Sequence, residues 1–584
     1  MAQPGAFHPA IPGRKTALCI WWWRCPVQPS GRTTNSREMF VSVLRTFQQV
    51  AVHTFWNKPT AMVIILLTGA TLLTYGNSLL NGFVWDDHDI VVNNPLNRDH
   101  ARIAEVFSSA DSTISGNQDA YYRPLNRLTY MLEYQIFGLR PAGYHAGNII
   151  IHLMTAILLY ALALKLMGRA VPAFIAALLF VVHPVNAESV NFISARNGLL
   201  AAFFVLLTAI SYLHAEAVHR KSYYYLSGLL FFLGLLCKEP ALMLPIVLFL
   251  FGMTGVRTFS TGIKEKLLSY LPFALGAGVY AVLRTNALSS VIGGNRIADG
   301  LGERLLQNIY IIPKYVTIIL FPLQLNALYS VPDDILAEAA WLVPIWLVLL
   351  AFILMLDRKK AVVRFGLLWV AINFIPISNI VPIPSAPMAE RYLYLPAIGL
   401  WLIVADQVCV LYERSAFKRA LIAIGASIMI CLSVITLQRN GDWRDNIAFY
   451  THMGKRNPDS ALAHFSLGLA HWERDEIPQA QSEWKRTAEI DPRYFNVLAF
   501  LGQSYVRINS FEQAEYYYTK QIEVYPDDAT AVYNLALIKE KLNKPGEALR
   551  YYERFITLRP QADADILATV NARMARLKYT AGLK

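Results

Sequence analysis

Apolar stretches long enough to cross a bilayer recur through most of this sequence, and a chain that carries them has few ways to fold. A hydrocarbon layer of ~30 Å takes about 20 residues of helix, and inside it each backbone polar group must be paired within the chain. Candidate crossings fall near residues 60 to 80, 147 to 167, 170 to 187, 198 to 214, 223 to 237 and 240 to 256. Others fall near 267 to 283, 340 to 356, 363 to 383, 392 to 411 and 419 to 437, which makes eleven. With 55% hydrophobic and only 16% charged residues over 584 positions, a soluble single core is excluded. The expected class is all-α, a polytopic membrane bundle of about 11 spans.

The formal charge of +12 does not point to nucleic acid, because the basic residues sit in short clusters between the apolar runs. Lys165 and Arg169, Arg220 and Lys221, Arg257 with Lys264 and Lys266, Arg358 to Lys360 with Arg364, and Arg414 with Lys418 and Arg419 mark the cytoplasmic loops. Residues 1–57, basic and nearly free of acids, read as a cytoplasmic tail without a stable fold, and Met39 is an alternative start. The stretch 305–325 would break the alternation if it crossed. Pro313 and Lys314 at its middle favour an interfacial or re-entrant helix. The polar segments NGFVWDDHD, HPVNAESVNFISARN, LLCKEPALM and PMAERYLYLP then converge on the extracytoplasmic side. Cys19, Cys25, Cys237, Cys409 and Cys431 have neither disulfide nor metal-ligand spacing.

Beyond residue 455 hydropathy falls and a repeat begins. Pro458, Pro492, Pro526 and Pro560 are spaced 34 residues apart, the tetratricopeptide period. Leu467-Gly468, Leu501-Gly502 and Leu535-Ala536 fall in first helices, and Ala480, Ala514 and Ala548 in second helices. This predicts an α-α solenoid over 457–580, with repeats at about 461–494, 495–528 and 529–562 and a capping helix. Such stacks offer a groove to extended peptides, although their aromatic residues ordinarily serve inter-repeat packing.

Directly after the first span stand Asp86, Asp87 and Asp89, flanked by Val84-Trp85 and Ile90-Val91-Val92. An apolar wall raises the basicity of a carboxylate and suits it to proton abstraction. The loop with paired acids, then YYRPLNRLTY, GYHAGNIIIHL, HPVNAESVNFISARNGLLA, CKEPA, ERYLYLP and the terminal repeats, resembles the transmembrane and tetratricopeptide-repeat O-mannosyltransferase family. That family is a branch of the GT-C glycosyltransferases. The resemblance covers roughly residues 60 to 560, and departs from the family in its brief repeat array and a shortened region around 285 to 305.

The resemblance implies a transferase domain over 58–440, with its first extracytoplasmic loop at 81–143. It would take a sugar, mannose or another hexose, from a polyprenyl-phosphate carrier and deliver it to a hydroxyl, with no metal or other cofactor. Asp86 or Asp87 would be the base. Arg123, Arg196, Lys238 and Arg391 are candidates to stabilise the leaving phosphate, and Glu239, His183 and Glu188 to line the substrate site. Each has an ordinary role open to it: Arg196 can snorkel, Arg391 can pair with Glu390, Lys238 with Glu239, and His183 can cap a helix end. Expected partners are the bilayer, the donor and a Ser/Thr-bearing protein held by the solenoid on the extracytoplasmic side. The short repeat array favours a bacterial inner membrane over endoplasmic reticulum. The competing readings are a membrane-anchored repeat scaffold, a transporter or flippase, and a GT-C enzyme acting on lipid or polysaccharide.

Overall fold

The computed structural model describes residues 58–109, 121–254, 263–288, 300–332, 334–380, 386–561 and 563–580. The expected N-terminal tail and most of the 285–305 region lie outside these. No strand occurs among the described residues. The longer helices are α1 (Lys58–Tyr75), α2 (Pro124–Phe137), α3 (Pro141–Met167), α4 (Ala170–Val182), α5 (Arg196–Val218), α6 (Lys221–Leu235) and α7 (Met243–Met253). They continue as α8 (Ile263–Leu288), α9 (Leu301–Leu320), α10 (Val343–Met355), α11 (Ala361–Phe374), α12 (Pro396–Arg414) and α13 (Lys418–Gly441). The chain is thus a helical membrane bundle followed by a tetratricopeptide solenoid.

Of the eleven apolar stretches, Pro59–Leu80, Pro141–Met167, Ile193–Val218, Glu265–Leu288, Pro396–Arg414 and Lys418–Gly441 are each long and apolar enough to cross unaided. Ala170–Val182 with Pro184–Asn191 makes a seventh only as one span bent by 54°. Glu239–Met253, Val343–Met355 and Ala361–Ile377 are shorter apolar helices, and α6 has 15 residues. The difference from a hydropathy count is physical. Several apolar runs are simply shorter as helices than as sequence: α6 ends at Leu235, and the charged turn around Lys238 and Glu239 separates it from α7. α11 and α12 touch backbone to backbone, for a Cβ on Gly366 would lie 2.7 Å from the Gly399 carbonyl.

Two ion pairs fix one end of the bundle. Arg169, which begins α4, pairs with Glu413 at the end of α12, and Lys360, before α11, reaches Asp406 at 2.8 Å. The basic loops before α4, before α11 and after α12 therefore share this end, and the ends of α4 and α11 and the start of α12 share the other.

At that other end lies α9. Along its length Arg304 donates to the Ile380 carbonyl, Asn308 to Ser378 O, the Ala389 N–H reaches Tyr315 Oη, and the Ile319 carbonyl meets His183 Nε2. Partners at one end of the bundle for both ends of α9 place it across that end, as the midpoint proline and lysine suggested. Pro313 has no N–H for the carbonyl four residues back, and Trp346 Nε1 donates to that carbonyl, Ile309 O, at 3.2 Å.

After α13 the chain turns at Trp443 into α14 (Asn446–Arg456), then α15 (Ala461–Glu473), α16 (Ile477–Ile490), α17 (Val497–Arg507), α18 (Phe511–Val524), α19 (Ala529–Lys541), α20 (Pro545–Leu558) and α21 (Ala564–Thr580). Small residues bring each hairpin together: a Cβ on Gly468 would sit 2.4 Å from Trp484 Nε1, and one on Gly502 2.8 Å from the Tyr518 ring. The first hairpin is built into the bundle's end. Phe449, Tyr450, Met453, Ala463 and Leu467 form one apolar cluster with Val84, Phe192 and Ala327.

Candidate active site

The loop after α1 is held by amides. Asn81 donates to Asn191 Oδ1 and to the Asn440 carbonyl, Asn191 to Asn440 Oδ1, and Asn440 to Thr74 O. This buried set ties the loop to the HPVNAESVNF segment and to α13. Gly82 N–H then bonds the Arg444 carbonyl at 2.8 Å. Trp85 follows with φ of 58°, a left-handed conformation that costs a bulky residue about 1–3 kcal/mol and persists only where the surroundings impose it. They do so here: its ring stacks on Phe192 at 5.3 Å and its N–H reaches Asn446 Oδ1 at 3.1 Å.

The two acids diverge in environment. Asp87 is buried and accepts from Ser194 N–H at 2.8 Å, Ser194 Oγ at 2.6 Å and Val84 N–H at 3.2 Å. Burial pushes its pKa up to about 7 against the pull of those bonds. Asp86 is half-buried and its carboxylate makes no hydrogen bond among the described residues. Burial raises its pKa to about 6, with Arg391 pulling down and Asp89 pushing up. Asp87 thus anchors the loop, while Asp86 presents two free lone-pair-bearing oxygens.

Three of the four predicted cations fall in one electrostatic neighbourhood: Arg391 acts on Asp86, and Arg391 and Arg123 act on Lys238. Arg391 pairs with Glu188 and lies 5.2 to 6.0 Å from the faces of Tyr392, Trp85 and Phe192. Arg123 covers the Tyr121 ring at 4.1 Å and reaches Glu239 at 3.2 Å. Lys238 makes no hydrogen bond or ion pair among the described residues, and its ammonium lies 5.8 Å from the Tyr392 ring. Burial, with the charges of Arg123 and Arg391, pushes it down to about 7. The neighbour pairings open to Lys238 and Arg391 do not form. Glu239 takes Arg123 and Arg284, the latter at 2.8 Å, and Glu390 accepts from Tyr329 and faces Arg439. Both acids stand in 3-10 turns, which swing adjacent side chains apart.

Arg196 is placed elsewhere. Fully buried, it is enclosed by Glu133, Asn148, Thr129 and the Tyr144 carbonyl, so it braces α2 against α3 and α5. His183 accepts the Val185 N–H and contacts Ile319 O, the helix-end role open to it from the start. Glu188, wholly buried, receives both the Arg391 guanidinium and its backbone N–H. Ser194, Arg284 and Asn446 were not singled out from the sequence. Ser194 lies in the quoted SARN motif, whereas Arg284 and Asn446 have no local signal, being defined by partners tens to hundreds of residues away. No group of three or more potential metal ligands occurs among the described residues.

Comparison with known proteins agrees with this architecture. The family described as dolichyl-phosphate-mannose-protein mannosyltransferase matches residues 124–280, beginning after Asp86 and Asp87 and ending before Arg391. A tetratricopeptide repeat family matches residues 501–563. The chain is 24% identical over 444 residues to protein O-mannosyl-transferase F38B6.6 of Caenorhabditis elegans, covering 74% of this chain and 63% of that protein. It is 24% identical over 556 residues to human protein O-mannosyl-transferase TMTC3, covering 85% and 60%, and 26% identical over 494 residues to human TMTC1, covering 75% and 56%. The chain spans about three fifths of the length of these relatives. All three are animal proteins, which lends nothing to the bacterial membrane expected from the repeat count. In sequence and in architecture alike, the chain is similar to the transmembrane and tetratricopeptide-repeat O-mannosyltransferases whose motif order it carries.

Proposed function

We propose that this chain is a protein O-glycosyltransferase that moves mannose, or a closely related hexose, from a polyprenyl-phosphate carrier to a Ser or Thr hydroxyl on the extracytoplasmic side. The observation that carries this reading is the unbonded, burial-raised carboxylate of Asp86 facing the charge of Arg391, which in turn shares its surroundings with the half-buried Lys238 and Arg123. A base poised near neutrality and a cation cluster are the two groups that an inverting sugar transfer needs.

Asp86 takes the proton of the acceptor hydroxyl as its oxygen attacks the anomeric carbon. The bond from that carbon to the carrier phosphate breaks, and the phosphate leaves with one more negative charge than it brought. Arg123, Lys238 and Arg391 meet that growing charge, while Glu239 and Glu188 hold Arg123 and Arg391 in place. Asp87 keeps the loop in position through Ser194. The relatives are protein O-mannosyl-transferases, which supports a protein acceptor, and the solenoid beside the site fits one.

The test is turnover of the purified full chain with polyprenyl-phosphate-mannose and a Ser/Thr-rich peptide. Asp86→Asn is expected to lower the rate by roughly 10²-fold or more with donor binding retained. Wild-type turnover in that variant would remove Asp86 from the role.

A further inference from the structure

We infer that Asn446, at the start of the helix that leads into the solenoid, is a positioning residue for the base, so that the repeat domain's stem forms part of the catalytic apparatus. This rests on the reading of Asp86 as the base. The geometry is a clamp. Asn446 Oδ1 accepts the Trp85 N–H at 3.1 Å, and its amide nitrogen lies 3.4 Å from His88 Nε2. One side chain therefore bonds the residues on both flanks of the Asp86–Asp87 pair.

Three further facts give the clamp something to control. The Asp86 carboxylate has no hydrogen bond of its own among the described residues, so no partner but the charge of Arg391 offsets a shift of the backbone that carries it. The residue before it, Trp85, stands in a left-handed conformation that a tryptophan does not adopt without support. Asp87 is anchored separately, to Ser194 and across the pair to Val84, and the Trp85 ring is held by Phe192. The Trp85 N–H, next to Asp86 in the chain, is bonded by Asn446.

Asn446 in turn is held by the repeats. Asp445 caps α14 by accepting the Ala448 N–H at 2.8 Å, and its other oxygen meets Arg474, at the end of α15, at 3.2 Å. A displacement of the first hairpin would thus reach the base through Asp445, Asn446 and Trp85, over one ion pair, one peptide link and one hydrogen bond.

The experiment is a double-mutant cycle in the full chain, with the same donor and peptide. Asn446→Ala is expected to lower kcat about tenfold while leaving the donor KM within about twofold, and Asn446→Asp, which keeps an acceptor for the Trp85 N–H, to fall between. In the Asp86→Asn background Asn446→Ala is expected to add nothing, because a residue that works through Asp86 has no effect once that carboxylate is gone. Equal losses in both backgrounds, or a loss confined to KM, would overturn the inference. Substantial activity in Asp86→Asn alone would instead overturn the reading of the base. Hydrogen exchange over residues 82–92 supplies a readout free of activity: in Asn446→Ala the Trp85 amide should lose protection while the amide of Ser194, bonded to Asp87, keeps it. Unchanged protection at Trp85 would also reject the clamp.

Discussion

Lys238 carries a consequence that its neighbours do not, because it alone in the cation cluster changes charge near neutrality. Arginine stays protonated throughout, whereas burial and two adjacent arginines bring Lys238 to about 7. On the proposed mechanism Asp86 needs to be ionised to act, which sets the acid limb near pH 6. Lys238 needs to be protonated to meet phosphate, which sets the alkaline limb near pH 7. The pH profile of kcat/KM should therefore be a narrow bell with its maximum between these values, since kcat/KM reports the free enzyme. Lys238→Arg should keep the acid limb and abolish the alkaline one. Measured rates that stay flat from about pH 6 to 9 in the wild type would show that Lys238 does not touch the donor. At this scale the sequence was half legible. The acids and cations are visible as residue types beside a membrane span, but which acid is free is decided by Ser194, 107 residues further on. Adjacency was misleading for the same reason, since Glu239 and Glu390 turn away from Lys238 and Arg391.

Among the elements, the repeats were the most readable, because each contact that stacks them recurs within 34 residues. The structure adds a signal to the same register: Asp475, Asn509 and Asn543, again 34 apart, all have positive φ in the turn between paired helices. Asp and Asn tolerate that conformation better than other side chains, so they mark the turn as surely as the prolines do. Gly502→Val should force its new atoms into the Tyr518 ring and cost about 1–3 kcal/mol by overpacking. Gly546, where an added Cβ would meet nothing within 4 Å, should accept Ala without loss. Hydrogen exchange across 497–558 in the full chain would show the difference, with faster exchange only in the first variant. The membrane helices were less legible. Hydropathy reports where chain is apolar, not where it stops being helical, and α6 and α7 are separated by a turn in which both acid and base of the CKEPA motif stand.

For the molecule as a whole, the order of domains along the chain hides how closely they are joined. A series of apolar runs followed by a repeat array suggests an enzyme with an appended module, yet Val84 and Trp85 pack against Phe449, Tyr450 and Leu467. Removal of residues 446–580 should consequently abolish transfer even to a short peptide, whereas removal of 529–580 should leave transfer to that peptide largely intact. Equal activity of both truncated chains, measured after each is shown to remain in the membrane, would contradict this joint. The same joint has a meaning in time. The base loop emerges from the ribosome early, but Asn446, its partner 361 residues later, is not made until most of the chain has been synthesised. At about 5–20 residues per second that is a delay of roughly 20–70 s, during which the nascent protein holds its acids and cations without the bond from Asn446 to Trp85. On the proposed mechanism catalytic competence therefore waits for the solenoid stem, after the bundle has been made, and a chain interrupted before residue 446 is expected to be inert from birth.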